Sequence, residues 1–304
     1  MAFLSKQNSN PAPGHVLITG SKGFTAAYVN AALLEAGYQI TGCSEDAGAE
    51  GEQLPLDIRS PEACRAVIDQ TRPDYIVHLA AISFVGHSEA TAFYDVNVIG
   101  TLNLLQACAD IGHTPRKLLI ASSANIYGNA SGTIDEATLP APTNHYAASK
   151  LVMEHLVHTW SDRLPIVMTR PFNYTGRGQS PRFLVAKIVA HFAERRKHIE
   201  LGNLDVARDF SDVRYVAAIY RALLEADIVG ETVNICSGEA HSLADIISLA
   251  RDLTGHNIEV TVNPAFVRTN EVKMLKGTPI RLRELTPHIT PIDLKTTLSW
   301  MLEK

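Results

Sequence analysis

Cysteine is rare in this chain and poorly placed for chemistry. Cys43, Cys64, Cys108 and Cys236 are the only four in 304 residues, far apart and without Cys-x-x-Cys or Cys/His ligand spacing. They read as small apolar residues of a reducing compartment, and no metal site is expected. Basic blocks are missing too. With a formal net charge of -5, nothing favours a nucleic-acid or membrane-surface partner. No apolar run approaches the length of a membrane span. Residues 1–14 carry Gln, Asn, Ser and two prolines in place of a signal peptide's apolar centre, so a flexible tail and a cytoplasmic protein are expected. Repeats, low-complexity tracts and Pro/Ser/Gly linkers are absent as well. What is there, 46% apolar and 19% charged, suffices for a packed core in one large domain or two unequal ones.

From His15 onward, short apolar runs alternate with longer helical patterns. His15 to Thr19 reads as a buried strand that breaks at Gly20-Ser21-Lys22-Gly23, and a helix follows to a stop at Gly37. Tyr38–Gly42, Tyr75–Leu79, Lys117–Ala121 and Ile166–Thr169 read as further strands. Ser60-Pro61-Glu62 has the N-cap, first-turn proline and early acid of a helix that ends before Arg72-Pro73. One long helical pattern covers about Ser88 to Ile111, and another Asn144 to Trp160. Such alternation predicts an α/β, Rossmann-type doubly wound parallel sheet. Beyond Pro171 the pattern loosens into helices near 181–196, 211–226, 242–254 and 291–301, with short strands at Thr232–Cys236 and Ile258–Val262. The expected division is a dinucleotide-binding core over 15–172 and a smaller substrate-binding lobe over 173–304, with some segments returning to the core.

Two short motifs point to chemistry. Gly20 and Gly23 sit where the first strand meets its helix, and glycines there let backbone approach a pyrophosphate that the helix N-terminus then stabilises. An ordinary turn would have the same form, but the alternating context favours a dinucleotide. The usual third glycine is Ala26, still small enough for close helix–strand packing. Tyr146 and Lys150 stand four apart on a helical pattern, so both can face one cleft. A phenol has a reference pKa of about 10, and a nearby ammonium favours its phenolate, making it a usable acid or base. Alone, the pair is a weak signal.

Taken together, the landmarks resemble the extended short-chain dehydrogenases/reductases, the family of nucleotide-sugar epimerases, dehydratases and reductases. They run in order: Thr19-Gly20-x-x-Gly23-Phe24, Leu56-Asp57-Ile58, His78-Leu79-Ala80-Ala81, Asn97-x-x-Gly100-Thr101, Ser122-Ser123-x-x-x-Tyr127-Gly128 and Tyr146-x-x-x-Lys150. Arg170-Pro171-Phe172-Asn173-Tyr174-x-Gly176 and Arg208-Asp209-Phe210 follow, so the resemblance covers nearly the whole chain. It implies NAD(P)(H) held by Gly20, Gly23, Phe24, Ser44, Asp57, Ile58, Leu79, Ala80, Ala81, Asn97, Tyr146 and Lys150. Asp57 and Ile58 would hold the adenine, Lys150 the nicotinamide ribose, and Asn97 would support the active-site helix. Ser123 would hydrogen-bond the reacting sugar oxygen while Tyr146 passes the proton. NAD and NADP both stay open: Ser44 replaces the acid that binds a ribose 2′-hydroxyl, yet Glu45 stands where an NADP-binding Arg often occurs.

Leu201-Gly202-Asn203-Leu204-Asp205-x-x-Arg208-Asp209 and Arg268-Thr269-x-Glu271 are similar to segments of enzymes acting on GDP-mannose derivatives, with Thr269 where Pro is usual. The likeness implies a GDP-sugar bound by Asn125, Asn173, Lys187, Asn203, Arg208, Arg268 and Glu271, the two arginines matching a diphosphate in a bidentate way. Asn125 occupies the position where the 4,6-dehydratases carry a catalytic Glu, and an amide is no base. The resemblance therefore implies reduction of the 4-keto group of a GDP-4-keto-6-deoxy-hexose, giving GDP-6-deoxy-D-mannose (GDP-D-rhamnose). GDP-mannose 4,6-dehydration, UDP-sugar 4-epimerisation and a non-catalytic NAD(P)-sensing protein remain as alternatives. Family habit implies a homodimer through the helices near 88–111 and 144–160.

Overall fold

A computed structural model describes residues 13–46, 53–267 and 273–303. Most of the expected tail, with Arg268 and Glu271, therefore lies outside the described residues. In chain order the first half is β1 (His15–Thr19), α1 (Phe24–Glu35), β2 (Gln39–Ser44), β3 (Gln53–Pro55), α2 (Pro61–Thr71) and β4 (Tyr75–His78). Then come α3 (Ala90–Tyr94), α4 (Thr101–Asp110), β5 (Lys117–Ala121), β6 (Gly132–Ile134), α5 (His145–His158) and β7 (Ile166–Pro171). Ser60 caps α2 by accepting from the Ala63 N–H, Pro61 fills its first turn, and Arg72 ends it in a left-handed conformation. Asn144 caps α5 in the same way through the Ala147 N–H.

Seven strands form one parallel sheet in the order β11-β7-β5-β4-β1-β2-β3, with β11 at Thr232–Ile235. Consecutive strand residues point to opposite faces, and both faces are covered. Leu17, Ile76, Leu118, Ile120 and Ile166 pack under α2, α4 and α5, while Val16, Ile18, Val77, Leu119 and Val233 pack under α1 and α7 (Val213–Glu225). That two-sided burial is why these strands are continuous apolar runs instead of alternating ones. From β1 the chain winds outward to β2 and β3, then returns to β4 on the other side. This reversal opens a crevice at the carboxyl ends of the strands, where ligands bind in such sheets.

The remainder adds β8 (Asn173–Thr175), α6 (Leu184–Ala193), β9 (His198–Leu201) and β10 (Ala207–Asp212), then β12 (Ala240–Ser242) and α8 (Leu243–Thr254). Past these lie β13 (Glu259–Val262), β14 (Met274–Gly277), α9 (Ile280–Leu285) and α10 (Leu294–Leu302). A small mixed sheet, β12-β10-β14-β6 with β8 against β10, is built from this half, apart from β6. Asp209 in β10 is fully buried and ties the small sheet together, accepting from Ser237 N, Ser237 Oγ, Gly238 N and Gly277 N. The segment over 88–111 differs from one continuous helix: Asp95–Gly100 is a wider π turn between α3 and α4, and it carries Asn97.

Candidate active site

Residues from β1, β2, β4, β5 and α5 meet at the crevice. Gly20 has φ +71, and a Cβ there would lie 2.7 Å from the Ala80 nitrogen, so only glycine fits between the first loop and the end of β4. Gly23 is the N-cap of α1, no side chain caps that helix, and its first turn holds no acid. Leu79 N donates to Thr19 O and Ala80 N to Thr19 Oγ1, which fastens the Leu79–Ala81 segment beside the loop. Among the described residues, the Ser21, Ser44 and Ser122 hydroxyls are buried without a hydrogen-bond partner, at the loop, at the end of β2 and just past β5. A glycine cradle, an uncapped helix N-terminus and orphaned hydroxyls along one crevice fit a dinucleotide, with Gly20, Ser21, Gly23, Ser44 and the Leu79–Ala81 backbone placed to hold it.

Ser123, Tyr146 and Lys150 come together. Ser123 stands two residues past β5 and caps the 3-10 turn Ala124–Tyr127, its Oγ accepting from Asn125 N at 3.2 Å and Asn125 Nδ2 at 3.1 Å. The same hydroxyl lies close enough to the Tyr146 phenol to ease its ionisation. Lys150 Nζ donates to Ala121 O at 2.8 Å. Both Tyr146 and Lys150 are buried. Burial pushes the Tyr146 phenol up to about 12, with Ser123 opposing and Tyr174 adding to the rise. Burial pulls the Lys150 ammonium down to about 8, against the carboxylate of Glu154. The expected lowering of the phenol by the ammonium is thus corrected. Desolvation governs Tyr146, the Ser123 hydroxyl opposes it, and the ammonium is turned to a backbone carbonyl.

Several other expectations change. Asn97 spends its amide within the protein instead of on a cofactor, and supports the active-site helix as the resemblance implied: Oδ1 accepts from Ile82 N, and Nδ2 donates to Ile82 O and to Ser149 Oγ, bracing α5 from the π turn. Ile58 does not offer its side chain to an adenine. It is 6% exposed and packs against Gly100 in the core, where a Cβ on that glycine would come within 2.5 Å of Ile58. Asp57 is half-buried, and both carboxylate oxygens hold Arg59. Phe24 opens α1 with its ring stacked on Tyr174, 6.2 Å between centroids.

Of the expected substrate groups, Asn173 is exposed on β8 and pairs in register with Phe210 of β10, two residues along from Arg208. Arg208 is half-buried, and Asn203 is half-buried in the β9–β10 connection. Lys187 lies apart on α6, its ammonium on Glu200 O at 2.8 Å and 4.9 Å above the Phe266 ring. Asn125 is exposed beside Ser123.

Two groups escaped the sequence. Glu154, one turn beyond Lys150, forms a buried pair with Arg170 at 2.7 Å; Arg170 also donates to the Tyr127 hydroxyl, which donates to Asn234. The spacing 146, 150, 154 was a visible helical stripe that pointed to it. Tyr174 is the other: its hydroxyl hydrogen-bonds Thr25 Oγ1 at 2.7 Å, and its charge state is felt at Tyr146.

The NAD dependent epimerase/dehydratase family pattern matches residues 16–236. The chain is 36% identical over 269 residues to GDP-6-deoxy-D-talose 4-dehydrogenase of Aggregatibacter actinomycetemcomitans, covering 88% of this chain and 89% of that one. It is 33% identical over 242 residues to GDP-6-deoxy-D-mannose reductase of Pseudomonas aeruginosa, covering 76% and 79%. The structure of RMD from Pseudomonas aeruginosa complexed with NADPH superposes with a TM-score of 0.83 at 28% identity, over 95% of this chain and 98% of that one.

Proposed function

This chain belongs to the NAD dependent epimerase/dehydratase family and is an NAD(P)-dependent nucleotide-sugar oxidoreductase, and we propose that it reduces the 4-keto group of a GDP-4-keto-6-deoxy-hexose. The observation that carries this reading is the meeting of Ser123 and Tyr146 with an amide, Asn125, where a dehydration base would be needed. Reduced nicotinamide, when bound, supplies the hydride. Tyr146, protonated at any pH well below about 12, gives its proton to the new C4 alkoxide, while Ser123 holds that oxygen. Lys150 keeps a positive charge beside the site below about pH 8.

Removing a proton from C5 would need a carboxylate, and those on the following loop are otherwise engaged. Glu136 Oε1 accepts from Asn234 N, and Asp135 Oδ1 accepts from Thr138 Oγ1. Asn173, Asn203 and Arg208 bind the sugar nucleotide, with Arg208 on the diphosphate. The product is GDP-6-deoxy-D-mannose. Its C4 epimer, GDP-6-deoxy-D-talose, is the second reading, favoured by the 36% identity to the talose enzyme over 88% of the chain. Incubation with GDP-4-keto-6-deoxy-mannose and reduced cofactor tests both. Cofactor oxidation is expected, and proton NMR separates the epimers because an axial H4 in the manno product couples strongly to its neighbours and an equatorial one does not. GDP-mannose converted with loss of water would instead mark a dehydratase.

The homodimer pairs α5 and the α3–α4 segment of two copies. Ile99, Val152 and Leu156 are exposed apolar side chains there, and the expected mass in solution is twice that of one chain. The protein acts in the cytoplasm; no helix among the described residues is long and apolar enough to cross a membrane.

A further inference from the structure

His78 ends β4 at the root of the crevice, only 3% exposed, with a threonine hydroxyl at each ring nitrogen. Thr19 Oγ1 lies 2.7 Å from Nδ1, and Thr101 Oγ1 lies 2.8 Å from Nε2. Each hydroxyl has a single proton, so the other bonds of the two threonines decide which nitrogen is protonated. Thr101 gives its proton to the Asn97 carbonyl at 2.8 Å, so towards the ring it can only accept, and Nε2 carries the hydrogen. Nδ1 is then bare and accepts the Thr19 proton, while Thr19 Oγ1 accepts from the Ala80 N–H at 3.2 Å. The opposite tautomer would leave the Thr19 proton without an acceptor and set Nε2 against the Asn97 carbonyl for the one Thr101 proton. A doubly protonated ring would strand the Thr19 proton in the same way. Burial, with the Lys150 ammonium adding to it, holds the imidazole down at about 3, so the ring is neutral.

The two threonines belong to two clamps on the segment that follows β4. Thr19 holds Ala80 N, and Asn97 holds both the N–H and the carbonyl of Ile82. Asn97 also donates to Ser149 Oγ, which donates to the Tyr146 carbonyl at 2.8 Å. We propose that His78, as the neutral Nε2–H tautomer, is a positioning residue that couples the cofactor crevice to the helix of the proton donor. Its Nδ1 fixes the Thr19–Ala80 side, which borders the dinucleotide crevice. Its Nε2 fixes the Asn97–Ser149 side, which sets where the Tyr146 backbone stands. The kinetic part rests on the 4-keto reduction above; the tautomer and the cofactor binding do not.

Two substitutions divide the ring. An Asn side chain ends near the place of Nδ1 and a Gln side chain near that of Nε2, so His78→Asn keeps the Thr19 end and His78→Gln the Thr101 end. In His78→Asn, kcat with GDP-4-keto-6-deoxy-mannose should fall about 3- to 10-fold, the net worth of one hydrogen bond, with binding of reduced cofactor within about twofold of wild type. In His78→Gln, cofactor binding should weaken about 3- to 10-fold, and kcat at saturating cofactor should stay within about twofold. Equal losses in both readouts for both variants would mark a ring that only fills the core and would overturn the proposal, as would wild-type values throughout. A further measurement needs no variant. Full-length wild-type protein with 15N-labelled histidine should show an imidazole that stays in the neutral Nε2–H form down to about pH 5, and that signal should be missing from both variants. The absence of such a ring overturns the proposal even if neither variant folds. A wild-type protein that binds reduced cofactor but ignores the keto sugar would sink the proposed reduction, and the tautomer and cofactor results would still decide this inference.

Discussion

Tyr146 and Lys150 lie one helical turn apart on α5, yet their polar ends face different groups: the phenol feels the Ser123 hydroxyl, and the ammonium donates to the carbonyl of Ala121 at 2.8 Å. A phenol held protonated by burial is a store of one proton, not a base in waiting. That suits protonation of a C4 alkoxide formed by hydride addition.

Replacing Tyr146 with Phe removes that proton and little else, since the ring still packs near Phe93. Turnover should drop at least ~100-fold, within the range of a general acid. Binding of the reduced cofactor, followed by its fluorescence, should stay close to wild type. Turnover within a few-fold of wild type would take Tyr146 out of the mechanism.

The pH dependence belongs to Lys150. Burial lowers its pKa from 10.5 to about 8, so the cation is present below about pH 8 and lost above it. We expect kcat/KM to decline above that pH. The Glu154 carboxylate raises the Lys150 value, so Glu154→Gln should move this limb to lower pH. For stability, the unfolded Lys150 stays protonated up to its ordinary value while the folded one does not. Between about 8 and 10.5 the unfolded chain therefore binds more protons, and the contribution of Lys150 to stability rises with pH across that window. Urea melts of wild type and Lys150→Met compared from pH 7.5 to 9.5 would expose an opposite slope.

Arg170 and Glu154 form an ion pair with side chains only 11% and 9% exposed, and the guanidinium also lies 5.3 Å from the Tyr127 ring centroid. Removing one partner strands a buried charge. Arg170→Met should destabilise by about 3–5 kcal/mol in chemical denaturation, whereas a loss below ~1 kcal/mol would mean that water already screens the pair.

Much of this was legible in the sequence because long elements announce themselves. Ser60, Pro61 and Asn144 sit where their helices start, and the five apolar runs of the core became strands. The short strands β3, β6, β8 and β12, three residues each, show no alternation, and they form only because a neighbouring strand takes up their hydrogen bonds. In the site, residue identity pointed to Ser123, Tyr146 and Lys150, but it could not tell which groups were already engaged. Ile58 was assigned to the cofactor, and core packing took it; Asn97, also expected at the cofactor, holds the active-site helix, as the resemblance implied. Asp209 looked like part of a substrate motif beside Arg208, yet its carboxylate is buried under four donors.

Arg208 sits on β10, two residues from the β8 pairing that carries Asn173. If it clamps the diphosphate, Arg208→Ala should weaken GDP binding by roughly 1.5–3 kcal/mol, the worth of a charge-assisted hydrogen bond. Calorimetry with GDP and UDP on the wild type completes the test. Tighter UDP than GDP would reject a guanine nucleotide and bring back the epimerase reading.

The choice between the two cofactors falls at the end of β2. Arg59 is placed there, but its guanidinium donates to Glu45 Oε1 at 2.6 Å and to both oxygens of Asp57 at 2.8 and 3.0 Å. Two cations, Arg59 and Lys22 with its ammonium on the Asp46 carbonyl, stand among three carboxylates, Glu45, Asp46 and Asp57, which leaves the spot net negative. The Ser44 hydroxyl, buried without a partner, is a neutral group suited to a ribose hydroxyl. An added 2′-phosphate would meet Glu45 instead of a free guanidinium, a repulsion on the order of 1–2 kcal/mol at a half-exposed site a few ångströms away. NADH should therefore bind roughly tenfold more tightly than NADPH. Glu45→Gln should narrow the gap by improving NADPH binding alone, since one carboxylate facing the phosphate is then neutral. Tighter NADPH in the wild type, or a gap unmoved by Glu45→Gln, would show that this pair does not set the preference.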